Sequence, residues 1–168
     1  SKFIQSLGVP DMKYSRTTIF GCIVAAMMIF GSPIAQAVPI TVNSELALVI
    51  DVSGSVDDDD YALQMEGYEA AFNNAIVQSN IESLTDGIAV EVFFFSSSAV
   101  QAGIETVLYT AADASAFATA IVNLTRPFAG GTNPAAGMNL ALDWILNNDY
   151  VGTDLIMDVS GDGIGSAT

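Results

Sequence analysis

The run Glu45-Leu46-Ala47-Leu48-Val49-Ile50-Asp51 constrains the fold more than any other stretch of the chain. Its five consecutive apolar side chains do not alternate with polar ones, so both faces of the strand they form must be covered. Sheets covered on both faces are largely parallel and belong to α/β architectures. Ligands bind such sheets beyond the carboxyl ends of the strands, which is where Asp51 stands.

The rest of the chain supplies the matching elements. Ile88 to Phe95 reads as a second buried strand, Glu105 to Tyr109 as a short third one and Asp154 to Val159 as a fourth. Between them lie helical patterns. One follows Asp57-Asp58-Asp59-Asp60 and places Tyr61, Met65, Tyr68, Ala71, Phe72 and Ile76 at three- and four-residue spacings, with the acids in the first turn, where the helix dipole favours them. A second runs from Ala112 to Val122. A third starts at Gly130-Gly131-Thr132-Asn133-Pro134, with Thr132 or Asn133 as N-cap and proline near the first helical position, and carries Met138, Leu140, Ala141, Leu142, Trp144, Ile145 and Leu146. Strands alternating with helices predict a doubly wound α/β fold with a mostly parallel sheet. The sequence stops at Thr168, shortly after the fourth strand, whereas open sheets of this kind continue with further units. The expectation is a domain cut short at its C-terminal side.

The first part of the chain reads differently. From Met12, a basic stretch (Lys13, Arg16) leads into the twelve-residue run Ile19 to Phe30, then Gly31-Ser32-Pro33 and Ala35-Gln36-Ala37. That order is the pattern of an export signal with an A-x-A cleavage site. The run is shorter than the roughly 20 residues of a spanning helix, so no stable membrane span is expected after cleavage. The expected organisation is a non-native upstream extension at 1–11, a signal peptide at 12–37 and one domain at 38–168, exported to the periplasm or the extracellular medium.

Charge and composition narrow the chemistry. The whole chain has 4 Lys+Arg against 19 Asp+Glu. Beyond residue 37 there are 18 acids and a single base, Arg126, giving a formal charge of −17. Nucleic acid and anionic membranes are poor partners for such a surface. Histidine is absent, and the one cysteine, Cys22, lies in the apolar N-terminal run. Ser-His-Asp and Cys-His catalysis and the usual zinc sites are therefore excluded from the body of the chain. A metal held here has to be a hard, oxygen-bound cation.

Asp51-Val52-Ser53-Gly54-Ser55 offers three oxygen side chains at alternate positions just past a strand end. A hard cation such as Mg²⁺ takes about six oxygens and accepts hydroxyls and water beside one or two carboxylates. Ser53 and Ser55 suit direct binding, with Asp51 acting through water. Thr132, at a helix entry, and Asp162, at another strand end, would reach the same edge of a doubly wound sheet.

The D-x-S-x-S at Asp51 to Ser55, the Gly-Gly-Thr at 130 to 132 and the Gly-Asp-Gly at 161 to 163 resemble the metal-ion-dependent adhesion site of von Willebrand factor A domains. The resemblance runs from about Glu45 to Gly163. With Arg126-Pro127-Phe128 and the acid-rich helix start, it is nearest a bacterial exported branch of uncharacterised function. It implies that Asp51, Ser53, Ser55, Thr132 and Asp162 hold a divalent cation, Mg²⁺ before Mn²⁺ or Ca²⁺. It also implies that an Asp or Glu carboxylate of a protein or surface partner completes the metal, which means ligand binding rather than turnover. Asp158 departs from the wider family, which usually has an apolar residue there. It is a candidate for hydrogen-bonding the metal loops from behind the ligands, the alternative being a structural acid.

Two other readings share these residues. Asp158-x-Ser160-x-Asp162-Gly163 fits the first half of a calcium loop of the EF-hand kind, which needs an entering helix. A metal-dependent phosphoryl hydrolase would use Asp51 as nucleophile, although Ser53 stands where such enzymes usually have a second acid.

Overall fold

A computed structural model describes residues 38–162. The expected upstream extension and signal peptide lie outside the described residues, as does Gly163. Among the described residues no helix is long and apolar enough to cross a membrane.

Three long strands carry the sheet. β1 (Ile40–Asp51) lies between β2 (Ile88–Phe95) and β5 (Tyr150–Ser160), the latter at the edge among the described residues, and is parallel to both. Two three-residue strands, β3 (Ala99–Gln101) and β4 (Thr106–Leu108), pair antiparallel with successive parts of β2. β1 is buried on both faces because its alternate side chains enter two separate cores. Leu48 and Ile50 join Val90, Val92 and Phe94 of β2 under three helices, α1 (Asp58–Phe72), α2 (Ala75–Glu82) and α3 (Ala111–Val122), which contribute Met65, Phe72, Ile81, Phe117 and Ile121. Ala47 and Val49 join Phe93 and Phe95 on the opposite face under α4 (Pro134–Asn147), which contributes Ala141, Trp144 and Ile145. Each such large side chain taken out of water contributes about 1.5–3 kcal/mol. The fold is therefore the expected doubly wound α/β sheet, parallel in its long strands.

Three details differ from expectation. The first helix does not continue to Ile76. It ends at Phe72, and Asn74 starts a new helix by accepting hydrogen bonds from the N–H groups of Ile76 and Val77, which leaves Ile76 exposed. The strand β3 is additional, so the strand expected as the fourth is the fifth. β1 and β5 extend several residues beyond their predicted starts because they pair together from Ile40 and Tyr150 onward. Of the two residues expected as N-cap of α4, Asn133 holds the position, without a side-chain cap bond, and the Thr132 hydroxyl is engaged elsewhere.

This topology fixes where a site can form. Parallel pairing in register puts Asp51, Phe95 and Ser160 at one end of the sheet, and the loop entering α4 arrives at that same end.

Candidate metal centre

The loop after β1 leaves the sheet in a tight turn. Val52 N–H still pairs with the Phe95 carbonyl (2.8 Å), and Ser53 N–H donates to Asp51 Oδ1 (2.7 Å), turning the backbone outward. Asp51 and Ser53 are buried there, whereas Gly54 and Ser55 are exposed. Asp51 Oδ2 faces the turn after β5, where a Cβ on Gly161 would lie 3.0 Å from it. A side chain there would press on the Asp51 carboxylate, which would have to shift by a few tenths of an ångström.

The loop before α4 is pinned to both neighbours. Gly54 N–H donates to the Gly130 carbonyl (2.7 Å), Gly131 N–H to Ser97 Oγ (2.7 Å) and Asn133 N–H to the Ser96 carbonyl (2.9 Å). The three segments are thus held together by backbone before any side chain is considered.

Four of the five expected ligands form one chain of oxygens. Thr132 Oγ1 donates to Ser53 Oγ (3.0 Å), Ser53 Oγ lies 3.2 Å from Ser55 Oγ, and Ser55 Oγ donates to Asp162 Oδ1 (3.0 Å). Because the Ser55 proton goes to the carboxylate, Ser53 is the donor in the middle bond. Every hydroxyl proton therefore points along the chain towards Asp162, and each hydroxyl oxygen keeps a lone pair unused by it. Asp51, the fifth residue, sits beneath with one carboxylate oxygen engaged by Ser53 N–H. Thr132 is half-buried and Asp162 exposed, so the cluster opens to solvent.

The donor set fits a hard cation. Hydroxyl and carboxylate oxygens are the donors that Mg²⁺ and Ca²⁺ take, with water filling the remaining positions. The observed 3.0–3.2 Å separations are hydrogen bonds between those oxygens. Among the described residues no three His, Cys, Asp or Glu side chains gather into a metal-binding group, so a cation here would depend on the hydroxyls.

Asp158 is placed differently from the other expected residues. It lies within β5 beside Leu48 and accepts a hydrogen bond from Tyr68 Oη (3.2 Å); among the described residues its carboxylate makes no bond to the metal loops. Burial, offset in part by a hydrogen bond with Ser160 and reinforced by the Asp158 charge, pushes the Tyr68 hydroxyl up to about 12. The link from β5 to the β1 loop runs instead through Ser160 Oγ, Gln64 Oε1 (3.3 Å) and from Gln64 Nε2 to the Asp51 carbonyl (3.4 Å).

The rival readings meet physical obstacles. An EF-hand loop needs an entering helix, but residues 150–160 form a strand paired along β1. An attacking carboxylate must meet its substrate, yet Asp51 is only 1% exposed with Oδ1 already bonded.

Arg126 is the residue that sequence reasoning did not place in the site. Its Nη2 donates to the carbonyls of Val52 (3.0 Å) and Ser53 (2.6 Å), and its Nη1 lies 3.4 Å from Asp58 Oδ1. The available signal was its position as the lone basic residue beyond residue 37, four positions before Gly130.

Over residues 41–168 the chain matches a family described as a protein of unknown function (DUF1194), and it belongs to that family. No curated protein matches it. Among solved structures it is similar to the vWF domain of the type V pili tip protein Mfa5 from Porphyromonas gingivalis. The identity is 15%, the TM-score 0.49, and the match covers 75% of this chain and 40% of that one. It is also similar to proximal thread matrix protein 1 from the mussel byssus, a structure with a zinc-occupied MIDAS motif, at 18% identity and TM-score 0.47, covering 74% of this chain and 30% of that one. The chain therefore spans less than half the length of either.

Proposed function

We propose that this chain is an exported, metal-dependent binding domain of the von Willebrand factor A type and not an enzyme. Asp51, Ser53, Ser55, Thr132 and Asp162 hold a divalent cation, with Mg²⁺ the best fit and Mn²⁺ or Ca²⁺ as alternatives. A carboxylate from a protein or surface partner completes the coordination. The observation that carries this reading is the hydrogen-bonded chain from Thr132 through Ser53 and Ser55 to Asp162, which gathers oxygens from three segments far apart in sequence at one sheet edge. The D-x-S-x-S, Gly-Gly-Thr and Gly-Asp-Gly motifs support it independently. The signal-like segment 12–37 supports export.

The charge of the domain sharpens the expectation about partners. A carboxylate-bearing partner approaching a formal −17 is repelled at long range, so the cation must draw it in and added salt must assist by screening. Binding of a carboxylate-bearing ligand that requires Mg²⁺, disappears with chelator and survives moderate salt is the expected behaviour. Binding that ignores chelator and weakens steadily with salt would contradict it.

A further inference from the structure

Arg126 is the only basic residue beyond residue 37, and it points into the proposed metal loop of a strongly acidic domain. Its side chain is 18% exposed, while its acidic neighbour Asp58 is 99% exposed, so that ion pair is screened by water and does not account for the placement. The tighter contacts are to backbone. One guanidinium nitrogen takes the carbonyls of two consecutive residues, Val52 and Ser53, at 3.0 and 2.6 Å.

Two consequences follow from the geometry. Fixing the Ser53 carbonyl fixes the peptide planes on which its hydroxyl is carried, the hydroxyl that sits between Thr132 and Ser55. The same bonds occupy two carbonyl oxygens of the loop, of which that of Ser53 also accepts from Val56 N–H (3.1 Å), leaving the Val52 carbonyl to Arg126. Ca²⁺ reaches six to eight ligands by recruiting carbonyls of this kind, whereas Mg²⁺ is satisfied by six oxygens, several of them water. A positive charge beside a cation site, taken alone, would weaken binding. Its placement here therefore makes sense through position rather than charge.

Building on the metal-site reading, we infer that Arg126 is a positioning residue of the metal loop and sets its cation preference. It holds the Ser53 hydroxyl towards Ser55 and Thr132 and withholds the Val52 carbonyl from a larger ion.

The test is calorimetric titration of Mg²⁺ and Ca²⁺ into the wild-type chain, Arg126→Lys and Arg126→Gln, with melting temperature in chelator measured in parallel. Arg126→Gln should lose at least tenfold in Mg²⁺ affinity and show a smaller preference for Mg²⁺ over Ca²⁺. Arg126→Lys, which keeps the charge and a single donor group, should fall between it and wild type. Unchanged affinity and preference with only a lowered melting temperature would make the arginine merely structural and overturn the inference. Tighter Mg²⁺ binding by Arg126→Gln would mean that charge outweighs position, and would overturn it too. If Arg126→Gln does not fold, Arg126→Lys decides; failure of that variant to fold in saturating Mg²⁺ would assign Arg126 to the fold rather than the site. Absence of saturable binding by wild type would instead refute the metal-site reading itself.

Discussion

Thr132 Oγ1 donates a 3.0 Å hydrogen bond to Ser53 Oγ, joining two loops 79 residues apart in sequence. The Thr132 hydroxyl is thereby committed to the cluster, while Asn133 holds the N-cap position of α4 without a side-chain cap bond. Thr132→Ala is expected to lower Mg²⁺ affinity about tenfold or more, the loss of one charge-assisted ligand contact, while Thr132→Ser retains most of it. Titration calorimetry on the two variants separates the hydroxyl from the methyl group.

The entry of α4 is set by a close contact further along. A Cβ on Gly137 would lie 2.7 Å from Val49 Cγ1 and 2.9 Å from Phe95 Cβ, so α4 packs against the sheet at a distance that only glycine allows. Gly137→Ala should destabilise the fold by about 1–3 kcal/mol through overpacking. Because the same helix carries the Thr132 loop, cation affinity should fall as well. Urea unfolding with and without Mg²⁺ measures both effects, and an unchanged midpoint would refute the packing argument.

At the start of α3, Thr110 and Asp113 form a reciprocal capping box. Hydrogen bonds from the Thr110 hydroxyl and from the N–H groups of Tyr109 and Thr110 hold the Asp113 carboxyl below its ordinary value. A lowered folded-state value stabilises above the unfolded pKa of about 3.9, and that contribution disappears as pH falls through the folded value. Thr110→Ala should cost about 1 kcal/mol at neutral pH. Denaturation midpoints compared at neutral pH and below pH ~4 should show the gap between variant and wild type narrowing in acid.

Asp158 and Tyr68 lie to the side of the proposed ligands. With the Tyr68 hydroxyl pushed up to about 12, its contribution to stability is complete below its ordinary value of about 10 and is lost as pH rises through 12. Asp158→Asn should make Tyr68 ionise at lower pH, which ultraviolet titration of tyrosinate detects, and should leave Mg²⁺ affinity within about twofold of wild type. A large loss of affinity would mean that Asp158 acts on the metal loops after all.

How legible the molecule was in its sequence depends on how far each signal extends. β1 and β2 were readable because both faces are buried, which leaves an uninterrupted apolar run; the predicted bounds of β2, Ile88 to Phe95, are those observed. β3 is three residues long behind a run of serines and carries no periodic signal. The break between α1 and α2 was hidden because the apolar spacing happens to continue to Ile76, while Asn74 decides the matter locally by capping a new helix. Two acids within the strands, Glu45 and Glu91, are buried structural groups. Glu45 accepts from Asn148 Nδ2 and Gly152 N–H, tying β1 to β5, and Glu91 accepts from Gln101 Nε2 and Ile104 N–H, fastening the segment that holds β3. The partners of Glu45 lie 103 and 107 residues away and those of Glu91 ten and thirteen, all outside a strand's own periodic pattern. The oxygen cluster was readable because strand ends and helix entries converge in a doubly wound sheet. The reach of Arg126 to the Ser53 carbonyl, across 73 residues, was not.

The central claim is that these oxygens hold a cation. Titration of Mg²⁺ and Mn²⁺ into the chain, beside a variant carrying both Ser53→Ala and Ser55→Ala, tests it most directly. One saturable site in the wild type, lost in the variant, is the predicted result. Equal heats from both proteins would mean that cations only condense on an acidic surface, and would contradict the account.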